Sequence, residues 1–260
     1  MTLADRYGDI GVTLGDDFVA EVELRRPPNN FFDQALMESL ADALEALDQE
    51  NGCRAVLLCA DGKHFCAGAD FGRRERGTMA RDGRHLYDET LRLFSCNKPV
   101  VAAVHGAAIG GGLGLALIAD FRVAAPEARF SANFARMGLH QGFGLSATLP
   151  RVVGAQQALR MLYRGERIKG EEALRIGLSD ELVPLGEVRA RARAVAADIA
   201  ASAPLAIESI RKTMRGDLPE LVRAATERER VEQERLQKTK DFREGTAAMT
   251  QRRPPKFVRA

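Results

Sequence analysis

The stretch from residue 100 to residue 119 constrains the fold most, because it contains no charged side chain between Lys98 and Asp120. It is long enough to cross a bilayer as a helix. Five of its residues are glycine and its middle is His105-Gly106, which leaves little apolar surface for lipid. We therefore interpret it as a buried strand, a glycine turn and a buried helix, with no membrane insertion.

Strand and helix patterns alternate on both sides of this stretch. Alternating apolar residues from Val12 to Leu24, interrupted by Gly15-Asp16-Asp17, predict two strands joined as a hairpin. Apolar residues then recur at helical spacing from Phe32 to Asn51, and a fully apolar run at 55–60 is typical of a strand covered on both faces. Further strands are predicted at 99–104 and 121–124, and further helices at 112–119 and 146–153. This order predicts an α/β protein.

The sequence becomes more charged and helical after Pro184. We expect residues 1–200 to form the core and residues 201–260 a helical region that packs one apolar stripe against a partner subunit. Helices are predicted at 188–201, 204–215 and 218–240, and the charges at 227–235 are expected to form a solvated face with internal ion pairs. Upstream, the charged segment 71–88 is predicted to be a long loop, either a mobile lid or an ordinary surface loop.

Composition excludes several functional classes. Lys and Arg number 38 against 36 Asp and Glu, so no large basic surface is available to a nucleic acid. The four cysteines form no CxxC pair and have no histidines at zinc-ligand spacing, which indicates reduced thiols and no metal site. The first residues lack a basic segment followed by an apolar one, so we expect a cytoplasmic protein without a signal peptide.

Two glycine turns, at 64–70 and 105–114, each follow a predicted strand directly. Glycines let a ligand oxygen approach backbone N–H groups closely, and a helix N-terminus favours negative charge, so these turns could form an oxyanion hole. Close helix packing would explain the three consecutive glycines equally well. No G-x-G-x-x-G motif and no Walker lysine is present at either turn, which argues against nucleotide binding.

Together with other short motifs, the two turns resemble the crotonase (enoyl-CoA hydratase/isomerase) superfamily over nearly the whole chain. The motifs that carry the resemblance are Arg26-Pro27 with Asn30, Phe65 to Asp70, Lys98 to Gly106, Gly110-Gly111-Gly112, Ala119 to Ala124, Ala128-Arg129-Phe130, Leu149 to Gly154, Ala173 to Leu178, and Glu244-Gly245 before Arg252-Arg253-Pro254. The resemblance implies a spiral of strand-strand-helix turns and C-terminal helices that form a homotrimer, often paired into a hexamer. It also implies an acyl-CoA ligand from fatty acid metabolism, with coenzyme A as part of the substrate and no further cofactor.

The resemblance also implies roles for individual residues. The backbone N–H groups of Ala69 and Gly111 would hold the thioester carbonyl and stabilise an oxyanion as charge develops on it. The resemblance also implies that the adenine lies against backbone around Ala67, Ala69 and Asp70, with contacts from a neighbouring subunit at Met249 and Arg252. Arg26 could pair with the CoA phosphates, or it is an ordinary surface arginine beside a proline turn. The other substrate-binding positions that we expect are Phe71, Gly110, Asn133 and Phe134.

The acidic residues that such enzymes use are missing. The two glutamates of the hydratases map to Gly114 and Phe134, and the aspartate of other members maps to Gly142. Neither glycine nor phenylalanine transfers protons, so water addition by paired carboxylates is excluded. His140 could replace them as general acid or base, or it is an ordinary hydrogen-bonded loop histidine. Asn133 could orient water or a carbonyl, or cap a turn.

Two functional hypotheses therefore remain open. The first is an acyl-CoA-transforming enzyme that keeps the oxyanion hole but uses other acid-base residues, as an isomerase, a lyase or a hydrolase. The second is a non-catalytic acyl-CoA-binding protein, whose pocket Gly114 and Phe134 have made larger and more apolar.

Overall fold

The computed structural model describes residues 3–69 and 84–260. The strands of this part are β1 (Arg6–Tyr7), β2 (Ile10–Leu14), β3 (Val19–Leu24), β4 (Ala55–Ala60), β5 (Val100–Val104), β6 (Ala107–Ile109), β7 (Phe121–Ala124), β8 (Arg129–Ser131), β9 (Ile168–Lys169) and β10 (Glu181–Leu182). The helices are α1 (Gln34–Asp48), α2 (Leu86–Phe94), α3 (Gly111–Ala116), α4 (Leu145–Arg164), α5 (Gly170–Arg175), α6 (Val188–Ala200), α7 (Pro204–Arg215), α8 (Leu218–Leu236) and α9 (Lys240–Thr250). Short 3-10 helices lie at Asn133–Met137 and Leu185–Glu187.

The larger sheet has seven strands in the order β1-β2-β3-β4-β5-β7-β10. β1, β2 and β3 pair antiparallel, which confirms the predicted hairpin, and every later pair is parallel. Parallel strands need cover on both faces. Apolar side chains of α1 and α3 cover one face, and Val188, Ala192 and Ala196 of α6 cover the other.

The smaller sheet has three strands in the order β6-β8-β9, and its strands were not predicted. β6 and β8 have only three residues each, too few to produce a recognisable alternation. The charge-free stretch 100–119 forms β5, β6 and α3, in agreement with the prediction of a strand, a turn and a helix. Among the described residues, no helix has both the length and the apolar character that a bilayer crossing requires.

Helix ends differ from the predictions where local backbone geometry intervenes. Gly154, the predicted end of the helix at 146–153, has φ 77° and ψ 157°, yet helical residues continue beyond it to Arg164. The predicted helix 218–240 ends at Leu236, and α9 begins after Thr239, whose side chain accepts a hydrogen bond from Phe242 N at 3.1 Å. A threonine in that position starts a new helix.

The C-terminal helices pack against their own chain. α8 lies against α2 and α4, and α9 lies against the 3-10 helix Asn133–Met137. α7 is attached by Asp120, whose carboxylate accepts from Arg211 Nε at 2.8 Å and Arg215 Nε at 3.0 Å. These largely buried ion pairs fix the helical region on the core.

Two predictions about single segments can be compared with the structure. Residues 71–83 of the predicted lid lie outside the described residues, and its end at 86–88 is the first turn of α2. All four cysteines are buried and free, as expected of reduced thiols.

Candidate functional site

The two glycine turns lie side by side. Cys66 N donates to Ala107 O at 2.9 Å, Ile109 N donates to Cys66 O at 3.1 Å, and Cys66 and Ala108 form a parallel bridge. Ala69 and Gly111 each follow these bridged residues by three positions. The two turns are thus joined three residues before each of the amides expected to form the oxyanion hole.

The direction of the Ala69 N–H follows from the peptide that precedes it. Gly68 has φ 105°, and its carbonyl accepts a hydrogen bond from Phe32 N at 3.0 Å. The C=O and N–H of a trans peptide point in opposite directions, so the Ala69 N–H points away from Phe32. That direction leads towards the segment 107–111, which flanks the other side of the turn.

The Gly111 N–H is the first of α3. Gly110 adopts φ 58° and ψ −120°, which glycine adopts without a steric penalty. Its N–H donates to Ser131 O at 2.8 Å, and its carbonyl accepts from Leu113 and Gly114 inside the helix. The Gly111 N–H therefore points out of the helix start. Neither this N–H nor that of Ala69 has an acceptor among the described residues.

Aromatic side chains surround the two amides. The rings of Phe32 and Phe143 meet edge to face with centroids 5.5 Å apart, and both lie where a side chain on Gly111 would extend. On the other side, an ideal Cβ on Gly110 would lie 3.3 Å from Asn133 Oδ1 and 3.7 Å from Phe134 Cζ. Asn133 and Phe134 thus adjoin the turn, as predicted positions of the substrate site.

The remaining predicted positions have the following partners within the chain. Ala67 N donates to Asn29 O at 2.9 Å. Arg26 is held by carboxylates of Asp9 and Asp33, each at 2.7 Å. Its guanidinium therefore already balances two charges at the start of α1. Asp70 and Phe71 lie outside the described residues.

Met249 contacts the predicted position Asn133 within its own chain, and its contribution to a neighbouring subunit stays a prediction. Its sulfur lies 3.9 Å from Asn133 Nδ2. The cause is the packing of α9, in which Gly245 approaches the backbone of Met137 so closely that an ideal Cβ would lie 2.5 Å away. Arg252 is exposed, and its side chain has no partner among the described residues.

The space that a side chain at Gly114 would need is filled by Phe143. An ideal Cβ on Gly114 would lie 2.7 Å from both Cβ and Cδ1 of Phe143, which is buried. Phe143 adopts φ 62° and is followed by Gly144 at φ 73°. The loop thus takes an uncommon left-handed course that brings the ring onto α3.

The space beside Gly142 is also filled. A Cβ there would collide with Tyr87 Oη and would lie 2.6 Å from Gln233 Nε2. The Tyr87 hydroxyl donates to Gln233 Oε1 at 2.9 Å, and Gln233 Nε2 donates to His140 O at 3.0 Å. Polar groups from α2 and α8 therefore occupy the position where an acid at residue 142 would stand.

Glu229 corrects the expectation that 227–235 is a solvated face. Ion pairs of Glu232 with Arg228 and Arg235 do lie on the surface, but Glu229 is fully buried. Its carboxylate accepts from Gly144 N at 2.8 Å and from Ser146 N at 2.9 Å, at the start of α4. Burial raises the pKa of Glu229, and these hydrogen bonds oppose the rise.

His140 has one ring nitrogen committed. Nδ1 lies 2.8 Å from Gln141 O, and because a carbonyl only accepts, Nδ1 carries the proton in the neutral ring. Nε2 then carries the lone pair, as a general base requires. The thiol of Cys66, in the first glycine turn, is a poor nucleophile, because burial raises its pKa to about 12.

Comparisons with known proteins identify the family of the chain. The family model described as enoyl-CoA hydratase/isomerase matches residues 15–259. A probable enoyl-CoA hydratase of Bacillus subtilis is 32% identical over 254 residues, covering 93% of this chain and 96% of that protein. One from Rhodobacter capsulatus is 37% identical over 244 residues, covering 92% and 94%.

Solved structures show the same fold. The crystal structure of an enoyl-CoA hydratase/isomerase from Pseudoalteromonas atlantica superposes with a TM-score of 0.88 at 31% identity, covering 96% of this chain and 100% of that one. That of a carnitinyl-CoA hydratase from Mycobacterium avium gives 0.85 at 30% identity, covering 98% and 100%. The predicted crotonase fold is confirmed, whereas trimers or hexamers stay a prediction.

We predict that Gly114 and Phe143 are energetically coupled. Gly114→Ala should lower the free energy of unfolding by about 1–3 kcal/mol because the new methyl group overpacks against Phe143. In a Phe143→Gly background the cost should vanish, since the obstructing side chain is gone. Urea denaturation of both single variants and the double variant measures the coupling. Gly186→Ala is the control, because no atom lies within 4 Å of its ideal Cβ; equal costs in both backgrounds would contradict the contact.

We predict that Glu229 makes stability depend on pH. Its raised pKa means that Glu229 holds its proton more tightly in the folded chain than in the unfolded chain, where a glutamate has a pKa of about 4.3. The resulting stabilisation is complete below the unfolded pKa and is lost as pH rises through the folded pKa. Relative to Glu229→Gln, the wild type should thus gain unfolding free energy as pH falls from 7 to 4. The exposed Glu227→Gln is the control, and a pH-independent difference for Glu229→Gln would refute the prediction.

Proposed function

Because the chain belongs to the enoyl-CoA hydratase/isomerase family, we propose that it binds an acyl-CoA thioester and polarises its carbonyl with the N–H groups of Ala69 and Gly111. The observation that supports the proposal is the bridge between Cys66 and Ala108, three residues before Ala69 and Gly111, whose N–H groups have no acceptor among the described residues. Backbone N–H donors are suited to this purpose because they are fixed before the substrate arrives.

Polarisation of the carbonyl makes the neighbouring carbon acidic. When a base removes a proton from that carbon, the electron pair moves onto the thioester oxygen and forms an enolate. Two fixed donors stabilise the new negative charge, and each is worth about 3–4 kcal/mol where such a donor has been removed from other enzymes. Isomerisation, hydration and carbon–carbon bond hydrolysis can all begin from a carbonyl activated in this way.

The acid-base group of this proposal is His140. Its Nδ1 is held by Gln141 O, which leaves Nε2 as the acceptor for a substrate proton. The paired-carboxylate route does not operate here, because Phe143 occupies the space beside Gly114 and residue 134 is itself a phenylalanine. Turnover therefore depends on a group outside the two positions that hydratases use.

A non-catalytic acyl-CoA-binding protein is the second candidate. The observation that favours it is that aromatic rings adjoin the second turn, with Phe32 and Phe143 beside Gly111 and Phe134 beside Gly110. These rings can bury an acyl chain but cannot transfer a proton. Measurement of turnover on a panel of enoyl-CoA and 3-oxoacyl-CoA thioesters separates this candidate from an enzyme.

We predict that affinity depends on the thioester carbonyl. Butyryl-CoA should bind at least about tenfold more tightly than S-butyl-CoA, a thioether that lacks only the carbonyl oxygen, because two N–H donors are left unsatisfied in the thioether complex. Isothermal titration calorimetry measures both constants. The infrared carbonyl band of bound [1-13C]butyryl-CoA should also move to lower frequency than in water. Equal affinities together with an unmoved band would exclude the oxyanion hole.

We predict that His140→Ala lowers kcat by about 10²–10⁴-fold on any thioester that the wild type turns over, since general acid-base catalysis contributes this much. KM should change little, because the two amides that bind the carbonyl remain. His105→Asn is the control, since His105 Nε2 lies 3.1 Å from Gly62 O and His105 has no role in the proposed proton transfer. Unchanged kcat in His140→Ala would remove His140 from the mechanism, and saturable binding without turnover of any thioester would favour the binding protein.

A further inference from the structure

A cleft of about 440 Å³ lies between α7 and the parts of β7, α4 and α6 that face it. Sites for small molecules have volumes of this order and are mostly apolar, with a few polar groups. The walls of the cleft fit this description, since they include the apolar side chains Leu117, Phe121, Val152, Ile199, Ile207 and Ile210. None of the described residues that line it belongs to the two glycine turns or to the side chains around them.

The cleft can be reached from solvent. Phe121, Ile210 and Met214 line it and are 43%, 58% and 72% exposed. Large apolar side chains that lie together and face water are typical of a binding surface. A ligand with an apolar part would remove these side chains from water.

Arg211 lines the cleft from α7 and has one guanidinium nitrogen without a partner. Its Nε donates to Asp120 Oδ2 at 2.8 Å, and its Nη1 donates to Cys96 O. Its Nη2 is buried and has no hydrogen-bond partner among the described residues, although the residue is only 9% exposed. An unsatisfied buried donor destabilises the folded chain, so an acceptor supplied by a ligand would be stabilising.

Two other largely buried arginines of the cleft show that this free donor is an exception. All three guanidinium nitrogens of Arg215 donate to oxygen atoms, and so do all three of Arg122. The arginine Nη2 that a ligand could use therefore belongs to Arg211.

The charges beside the cleft favour an anion. Arg211 and Arg215 share the carboxylate of Asp120, so these three groups together carry one positive charge in excess. Burial lowers the pKa of Arg215, and Arg211 adds to this effect while Asp120 opposes it. A singly charged anion would balance the excess charge. A carboxylate is such an anion, and its oxygens accept hydrogen bonds from a guanidinium in favourable geometry.

We propose that this cleft binds an aliphatic monocarboxylate, whose carboxylate accepts a hydrogen bond from Arg211 Nη2 and whose hydrocarbon tail lies along Ile207, Ile210 and Met214. The single charge of this ligand matches the excess charge of the arginine pair, and its tail matches the apolar walls. The inference does not rest on the proposed function, because the cleft and the two glycine turns have no lining residue in common.

Octanoate is the probe, and 1-octanol is its uncharged counterpart of equal chain length. By isothermal titration calorimetry, the full chain should bind octanoate at least about tenfold more tightly than 1-octanol, because only the carboxylate forms a charge-assisted hydrogen bond. Arg211→Lys keeps a positive charge for Asp120 but removes Nη2. This preference should therefore disappear, while the affinity for 1-octanol changes less than about twofold.

A variant at the exposed edge of the cleft leaves the buried ion pair intact. Met214→Glu adds a negative charge to the wall and should weaken octanoate binding about tenfold by repulsion. Leu205→Glu is the matched control, because Leu205 is 79% exposed on the same helix and does not line the cleft. An excess of butyryl-CoA should not displace octanoate, since the thioester is expected at the glycine turns.

Several outcomes would overturn the proposal. They are no binding of octanoate, equal affinities for octanoate and 1-octanol, displacement by butyryl-CoA, or binding that neither Arg211→Lys nor Met214→Glu changes. Sedimentation velocity tests a second copy of the chain as the occupant. An oligomer that Met214→Glu dissociates, together with no octanoate binding, would assign the cleft to subunit contact. Failure of thioester binding would overturn the proposed function and leave this inference standing.

Discussion

The pairing of Cys66 with the segment 107–109 is the constraint on which the rest of the site depends. Two hydrogen bonds fix the register, and Ala69 and Gly111 each follow the bridged residues by three positions. Gly68 then turns one N–H towards the second segment, and Gly110 turns the other out of the start of α3. The site is thus produced by backbone geometry, which demands glycine at two turns and leaves the neighbouring side chains free to vary.

That freedom explains how the chemistry could change while the fold stayed the same. Phe143 fills the space beside Gly114, and Tyr87 with Gln233 fills the space beside Gly142. The space that a side chain at either glycine would need is therefore not empty, because side chains from other elements of the fold occupy it. An acid restored at either position alone would have no room, so the present set of side chains must be understood as a unit.

Sequence patterns predicted those parts of the molecule whose signal is local. The apolar runs of β4 and β5 and the helical spacing of α1 each lie within one short segment of the sequence, and the structure confirms these three elements. The contacts of Gln233 with Tyr87 span 146 residues of sequence, which no local pattern reports. Glu229 was misjudged for the same reason: its charged neighbours on α8 indicate solvent, whereas its actual partners are amides at the start of α4.

Side chains of the helical region at 201–260 therefore contact the candidate site, while other side chains of the same helices face solvent. Glu229 holds the loop that carries His140 and Phe143, Gln233 holds Tyr87, and Met249 contacts Asn133. All three come from α8 and α9 of the same chain, so a change in how these helices sit would reach the acyl end of the site directly. The two amides of the glycine turns, by contrast, are set by the core, so the proposed carbonyl site and the side chains around it rest on structurally separate supports.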